Sequence, residues 1–146
     1  MTFDEVDKII CSYGFYCERD EQYGDFSRYY KYPGIDRLAI YAENFCEHNY
    51  NSLDTKNFSN KELNRVDVIT FQHIVLWNTG EIGINYADNP YKLWRNNIHS
   101  KQFKLNEEQL HKKLNTYKIW LESLIQAQKT MKMNKKLEKM ETDFND

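Results

Sequence analysis

The side chains best suited to catalysis or metal binding in this sequence are its cysteines and histidines, and they define no complete site. The strongest metal candidate is Cys46-Glu47-His48, which Cys17 or a further histidine would have to complete. Zinc sites usually draw their ligands from two closely spaced pairs. The other histidines are instead dispersed, at His73, His99 and His111. We therefore expect neither a bound metal nor a cofactor.

A small enzyme would need a site that forms only in the folded chain, with His73 and Cys17 as its candidate residues. His73 lies in an apolar stretch between Phe71 and Val75. It is either a general base or a histidine at the edge of the core whose ring nitrogens have found partners. Cys17 would act as a nucleophile only beside a base that lowers its pKa. The five glycines match neither the P-loop nor the dinucleotide spacing. The sequence therefore favours a protein that is not an enzyme.

Tyrosine is concentrated in the first third of the chain, where eight of the 11 tyrosines lie between residues 13 and 50. The densest part of this region is the segment Arg28, Tyr29, Tyr30, Lys31 and Tyr32. Because side chains alternate between the faces of a strand, Arg28, Tyr30 and Tyr32 should share one face. Tyr29 and Lys31 should share the other. Both faces of the strand would then carry aromatic and basic side chains.

This tyrosine-rich segment has three interpretations. Tyrosine and arginine are enriched at the energetic centres of protein interfaces, which predicts a protein-binding surface. Single-stranded nucleic acid could instead stack on the aromatic rings, although the region is not basic. Acids in the same region are Asp20, Glu21, Asp25, Asp36 and Glu43. The tyrosines could also simply cover a sheet beneath a helix, with their hydroxyls at the solvent edge.

The C-terminal end of the chain is a second candidate surface. Its lysines are Lys129, Lys132, Lys135, Lys136 and Lys139. They would neutralise phosphates in a nucleic-acid-binding protein, although lysine reads base edges poorly. Met133, Leu137 and Met140 interleave with them, as in an amphipathic segment that docks on a protein groove or self-associates. We expect no membrane attachment, because the apolar side is short and has no tryptophan.

The elements that must position these residues follow from periodicity and turn residues. Thr2 and Glu5 have capping-box spacing, and the apolar residues that follow predict a helix that ends at Gly14. Strands are predicted over residues 15–19, 26–32, 38–42, 66–77 and 82–86, with turn residues between most of them. The predicted fold class is α+β, with an antiparallel sheet of about five strands between an N-terminal helix and a long C-terminal helix.

The C-terminal helix carries two apolar rows that face nearly opposite ways. The first row begins after Asn106 and Gln109, a second capping pair, and its members are four and three residues apart. It comprises Leu110, Leu114, Tyr117, Leu121, Leu124, Gln128 and Met131. The second row begins at Met133 and is displaced by about 200° around the helix axis. The helix therefore either breaks near Thr130 or projects from the domain.

Length and charge bound the class of protein. A chain of 146 residues fits one domain, which we place at residues 1–131, followed by a protruding basic amphipathic helical tail at 132–146. Residues 1–100 carry 10 basic and 15 acidic side chains, net −5, and residues 101–146 carry 10 and 7, net +3. No apolar run approaches the roughly 18 residues of a membrane span. The first residues are acidic, unlike a signal peptide, so we expect a cytoplasmic protein.

The order of a helix, antiparallel strands and a long helix, over roughly residues 2 to 130, resembles two groups of small binding proteins. One group is the type III secretion chaperones, and the other is the bacterial immunity and phage-encoded inhibitor proteins, including anti-CRISPRs. The resemblance implies a non-enzymatic protein that blocks or neutralises a partner, such as a nucleoprotein effector. The alternatives are a nucleic-acid-binding accessory protein and a small enzyme. The first apolar row of the C-terminal helix, which is three heptads long, would close a homodimer as readily as it would cover a sheet.

Overall fold

Helix α1 (Phe3–Ser12) begins and ends where the sequence predicts. The computed structural model describes residues 1–18, 27–44, 65–85 and 106–144. The Thr2 hydroxyl accepts a hydrogen bond from the Glu5 amide, and the Glu5 carboxylate accepts one from the Thr2 amide, each at 3.2 Å. This pair completes the capping box. At the other end, the Gly14 amide donates to the carbonyl of Cys11 at 3.0 Å.

Four strands form one antiparallel sheet in the order β1-β2-β3-β4. They are β1 (Tyr16–Glu18), β2 (Ser27–Lys31), β3 (Ile40–Glu43) and β4 (Val68–Phe71). After β2 the chain reverses, and the Ile35 amide donates to the Tyr32 carbonyl at 3.1 Å. Gly34 has φ of +92°, and proline followed by a positive-φ glycine is the pattern of a type II turn. The predicted antiparallel order of the first three strands is confirmed, whereas the predicted turn at 23–25 lies outside the described residues.

The predicted strand over residues 66–77 is wrong, because the structure divides it into two strands of different sheets. The Gln72 amide still donates to the Ala39 carbonyl at 2.8 Å, which ends the pairing with β3. The Ile74 amide then donates to the Gln72 carbonyl at 3.0 Å. A bond between residues only two apart turns the chain sharply. The described residues therefore form six strands in sheets of four and two, where the sequence suggested about five strands in one sheet.

Strands β5 (Ile74–Leu76) and β6 (Ile82–Ile84) form the two-stranded sheet, a separate hairpin. Its connection is closed by the Trp77 amide, which donates to the Glu81 carbonyl at 2.8 Å. Gly80 lies in this connection with φ of +89°, a conformation that glycine adopts without strain. The predicted hairpin at this position is therefore confirmed, although the strands are shorter than predicted.

Helix α2 (Glu107–Phe144) runs unbroken for 38 residues. Asn106 and Gln109 cap its start, with the Gln109 amide donating to the Asn106 side chain at 2.8 Å. The first apolar row faces the domain, and its leucines are buried: Leu110, Leu114, Leu121 and Leu124. The helix does not break near Thr130, and its side chains from 132 to 143 are exposed.

Both helices cover the same face of the four-stranded sheet. The register places Tyr30, Ile40 and Phe71 opposite one another, so their side chains share that face. Helix α1 meets Tyr30 through Asp7, and α2 packs the Tyr117 ring against Phe71 with centroids 5.2 Å apart. One apolar core therefore joins the sheet to both helices. Neither described helix combines the length and the apolarity needed to cross a membrane.

Candidate interaction surfaces

A series of side-chain hydrogen bonds fixes α2 along the edge of the hairpin. The Tyr117 hydroxyl lies 2.6 Å from the carbonyl oxygen of Gln72 and 3.0 Å from that of Ala39. The indole nitrogen of Trp120 donates to the carbonyl oxygen of Ile74 at 3.1 Å. Farther along, the side chains of Gln128 and Lys135 donate to the carbonyls of Gly80 and Thr79, at 2.9 and 3.0 Å. These bonds satisfy backbone carbonyls of the hairpin and its approach, and they hold the helix to the domain as far as Lys135.

On the side away from these contacts, α2 presents an exposed apolar row to its surroundings. Met133, Leu137 and Met140 are 64%, 52% and 54% exposed, and every side chain from 132 to 143 is exposed. Ile119 lies on the same side of the helix and is 60% exposed. Sequence reasoning identified the three distal residues but missed Ile119. The seven-residue steps from Ile119 through Gln126 and Met133 to Met140 were the available signal.

The five lysines near the C-terminus are all exposed. Lys135 is tied to the Thr79 carbonyl, and its neighbours point around the helix in different directions. Lys129 and Lys136 lie along one flank of the apolar row, whereas Glu141 lies along the other. The end of the helix is therefore an apolar row with a basic flank and an acidic flank, and its positive charge is not uniform.

On the tyrosine segment, the residues that share a face with Tyr30 are engaged with the two helices. Tyr30 is fully buried, and its hydroxyl donates to the Asp7 carboxylate at 2.9 Å. Burial, together with the charge and hydrogen bond of Asp7, raises the pKa of Tyr30. Tyr32 is 7% exposed and donates to the Glu122 carboxylate at 2.6 Å. Arg28 lies 3.6 Å from the Asp7 carboxylate and packs over the ring of Phe3.

The structure therefore places Arg28, Tyr30 and Tyr32 in contacts between the sheet and its helices, where Tyr30 and Tyr32 are too buried to meet a partner directly. This matches the third interpretation of the tyrosine segment for two of its members. Their hydroxyls donate to carboxylates of the two helices.

The opposite face of the sheet carries the remaining aromatic and basic side chains. The register aligns Tyr16 with Lys31 and Tyr29 with Tyr41. Tyr16 is 44% exposed, and the other three are half-buried. The rings of Tyr29 and Tyr41 have centroids 4.9 Å apart, and the Lys31 ammonium lies 3.5 Å from the Asp36 carboxylate. A cavity of about 220 Å³ adjoins this pair of rings, lined also by Leu38, Ile40 and Gln72.

The structure keeps the candidate catalytic residues apart. Cys17 lies in β1 and His73 lies between β4 and β5, and strands β1 and β4 form opposite edges of the four-stranded sheet. Three strand spacings separate the edges, about 14 Å. Partial desolvation, followed by the negative charge of Asp7, raises the pKa of the exposed Cys11 thiol, which disfavours a reactive thiolate. Cys46, Glu47, His48 and His99 lie outside the described residues.

Within the four described stretches, no three His, Cys, Asp or Glu side chains converge as metal ligands do. A larger cavity of about 500 Å³ lies beside α2, between Phe71, Tyr117 and Trp120. Lys112, Lys113 and Thr116 complete its lining. Among the described residues that line this cavity, hydrocarbon and aromatic groups predominate, and no carboxylate or imidazole is present.

Comparison of the chain with protein-family models, with curated proteins and with solved structures finds no match in any of the three.

Proposed function

We propose that this protein is a non-enzymatic binding module that attaches to protein through the exposed apolar row of α2. The observation that carries the proposal is the exposure of Met133, Leu137 and Met140 on a helix that extends past its last bond to the domain. Removing one such side chain fully from water contributes roughly 1.5–3 kcal/mol. A protein surface that accepts all three is therefore a favourable binding site for the helix.

The spacing of the row supports a binding role more strongly than exposure alone. Single exposed apolar side chains are ordinary on protein surfaces. Met133, Leu137 and Met140, however, are four and three residues apart, so they lie side by side on one helical face. Two of the three are methionines, whose flexible thioethers adapt to irregular surfaces. An amphipathic helix of this kind docks by laying its apolar side into a groove.

A module that does no chemistry acts on a partner by covering a surface that the partner needs. We therefore place the protein among small inhibitors of the anti-defence or immunity type, which block or neutralise a partner inside the bacterial cytoplasm. The second face of the sheet supplies a further contact through Tyr16 and the Tyr29–Tyr41 pair. Rigid aromatic rings provide contact area at a low entropic cost, and their hydroxyls can still bond to polar groups.

A nucleic-acid-binding function is the second candidate, and the exposure of Lys129, Lys132, Lys136 and Lys139 favours it. Such binding would weaken steeply with salt, because each neutralised phosphate releases counterions. Glu138, Glu141 and Asp143 lie among these lysines and reduce the positive potential that phosphates require. Binding through the apolar row would instead be nearly independent of salt, which separates the two functions.

Site-specific photo-cross-linking in cells tests the proposed function. A photo-reactive residue at position 137 lies in the apolar row, and the same residue at position 142 lies nearly opposite on the helix. We expect a discrete protein adduct from position 137 and none from position 142. Equal adduct patterns at the two positions, or an adduct to nucleic acid, would show that the row is not a protein-binding surface.

A further inference from the structure

The apolar row of α2 belongs to a longer pattern with a heptad register. Starting at Ile119, steps of four and three residues lead through Ser123, Gln126 and Thr130 to Met133, and then to Leu137 and Met140. All seven side chains are exposed. We call this set the seam. Alternating steps of four and three residues are the a and d positions of a two-stranded coiled coil. The seam is about 31 Å long, at 1.5 Å per residue.

The polar members of the seam can be covered at little cost. The Ser123 hydroxyl donates to the Trp120 carbonyl at 2.6 Å, and the Thr130 hydroxyl donates to the Gln126 carbonyl at 3.1 Å. Because these hydroxyls are already satisfied by their own helix, a packed neighbour leaves no donor unpaired. Gln126 occupies a d position. In a symmetric pair of helices its amide meets its own counterpart, and one polar pair in such a seam fixes the register.

The charges beside the seam are complementary to a second copy of the same helix in parallel orientation. Lys129 and Lys136 occupy g positions on one flank, and Asn134 and Glu141 occupy e positions on the other. In a parallel pair, Lys136 of one helix lies beside Glu141 of the second copy, and this attraction occurs twice. An antiparallel pair would bring basic flank to basic flank and acidic flank to acidic flank, which is repulsive.

The seam also faces the right way for two whole domains to pair. Leu137 follows Leu121 by 16 residues, which places it about 160° around the helix axis from the buried leucine row. Two copies joined along the seam therefore carry their domains on the outer sides of the helix pair. Symmetric contacts of one surface with itself produce closed dimers, the commonest oligomers of soluble proteins.

We infer that the occupant of the seam is a second copy of this chain, so that two α2 helices form a parallel coiled coil. The inference rests on the proposed function, because it names the protein that covers the same apolar row. The Tyr29 face of each sheet lies on the side away from its own α2. The dimer therefore carries two copies of the exposed Tyr16 on these faces, and binding of a target through both would be bivalent.

Sedimentation equilibrium of the full chain, from about 1 to 500 µM, tests self-pairing. We expect a monomer–dimer equilibrium in the wild-type protein, and Leu137→Glu should raise the dissociation constant at least about tenfold. Thr142→Glu is the matched control, because it adds the same charge on the opposite side of the helix. The two variants are also matched in charge repulsion along the helix. The glutamate at position 137 is four residues from Glu141, and the glutamate at position 142 is four residues from Glu138. A wild-type chain that stays monomeric throughout, or equal weakening by both variants, would overturn the inference.

Charge exchange tests the parallel orientation. Lys136→Glu and Glu141→Lys should each weaken the dimer by roughly two- to fivefold, the range expected of exposed ion pairs. The double variant should restore the wild-type dissociation constant, because it exchanges the two partners of one pair. If the double variant instead weakened the dimer by the sum of the two single effects, parallel pairing would be contradicted. Circular dichroism of each variant establishes that the fold is retained.

The two proposals fail separately. If the chain is monomeric while position 137 cross-links to a different protein, self-pairing is overturned and the binding-module function stands. If the chain dimerises through Leu137 and neither the seam nor the tyrosine face contacts another protein, self-pairing is supported and the blocking function is lost.

Discussion

The ammonium nitrogen of Lys135 lies 3.0 Å from the backbone oxygen of Thr79, at the tip of the β5–β6 hairpin. Along the described part of α2, this is the last side-chain hydrogen bond to the body of the domain. Before it, the helix is held by Tyr117, Trp120 and Gln128. After it, apolar side chains face outward. The contact therefore marks the end of the part of α2 that is bonded to the domain, whereas the seam runs along the other side of the helix from Ile119 to Met140.

Lys135→Ala should loosen this boundary without unfolding the domain. An exposed hydrogen bond contributes little, so we expect the free energy of unfolding to change by less than about 0.5 kcal/mol. Amide hydrogen exchange from Gln128 to Lys135 should become faster, because that part of α2 opens more readily. Lys139→Ala is the control, since Lys139 is also exposed and lies outside the charge pair proposed for the dimer. Equal acceleration in both variants would contradict a role for the Thr79 contact.

Tyr30→Phe should destabilise the domain by about 1 kcal/mol, because the Asp7 carboxylate loses the hydroxyl that donates to it. Chemical denaturation measures the loss, and Tyr16→Phe, at an exposed tyrosine, should change stability far less. A Tyr30→Phe variant as stable as the wild-type protein would mean that the bond to Asp7 contributes nothing.

Tyr30→Ala removes a buried ring and should lower the free energy of unfolding by about 3–5 kcal/mol. Binding lost in that alanine variant would therefore reflect unfolding.

Stability should fall as pH rises above 10. Burial, aided by the hydrogen bond and charge of Glu122, raises the pKa of Tyr32 to about 12. The phenol of an unfolded chain ionises near 10. Between these values the unfolded chain has lost a proton that the folded chain retains, so unfolding becomes more favourable with pH. Below pH 10 both states are protonated, and the stabilisation is complete.

Denaturation at a series of pH values between 8 and 11.5 measures this effect. Tyr32→Phe removes the titrating group, so its stability should fall less steeply above pH 10 than that of the wild-type protein. Burial also raises the pKa of Tyr30 and Tyr117, so some alkaline loss should remain. Identical pH dependence in the variant and the wild-type protein would show that Tyr32 does not carry the effect.

Gly34→Ala should destabilise the domain for two separable reasons. A side chain at φ of +92° is strained by about 1–2 kcal/mol. A Cβ atom at Gly34 would also lie 3.1 Å from the Cδ1 atom of Ile125. Ile125→Val removes that carbon, so the loss caused by Gly34→Ala should be smaller in the Ile125→Val background. A double-mutant cycle of unfolding free energies checks this, and zero coupling would exclude the steric contribution.

The sequence predicted α1 and the buried row of α2 well, because local signals specify both. The Thr2 and Glu5 capping box, the Asn106 and Gln109 pair and the spacing of the leucines act within a few residues of one another. The turn at Gly34 and the hairpin at Gly80 could also be predicted from the sequence, since only a few residue types suit such conformations.

The division of residues 66–77 into two strands could not be predicted from the sequence, because the run is apolar on both sides of the break. Gln72 ends one strand by bonding to Ala39, a residue 33 positions earlier. Such a long-range contact leaves no local pattern. The burial of Tyr30 and Tyr32 has a similar cause. Alternation assigned them to one face but could not say which face the helices cover, and that choice depends on Asp7 and Glu122.

The most direct test of the binding row is affinity capture from cells that also express an untagged copy of the chain. The tagged wild-type, Leu137→Glu and Thr142→Glu proteins are compared after nuclease treatment, and mass spectrometry identifies and quantifies what each retains. We predict a stoichiometric protein, whether the untagged copy or a target, with the wild-type and Thr142→Glu baits, and its loss with Leu137→Glu. The same retained proteins with all three baits, or recovery that disappears with nuclease, would contradict the account.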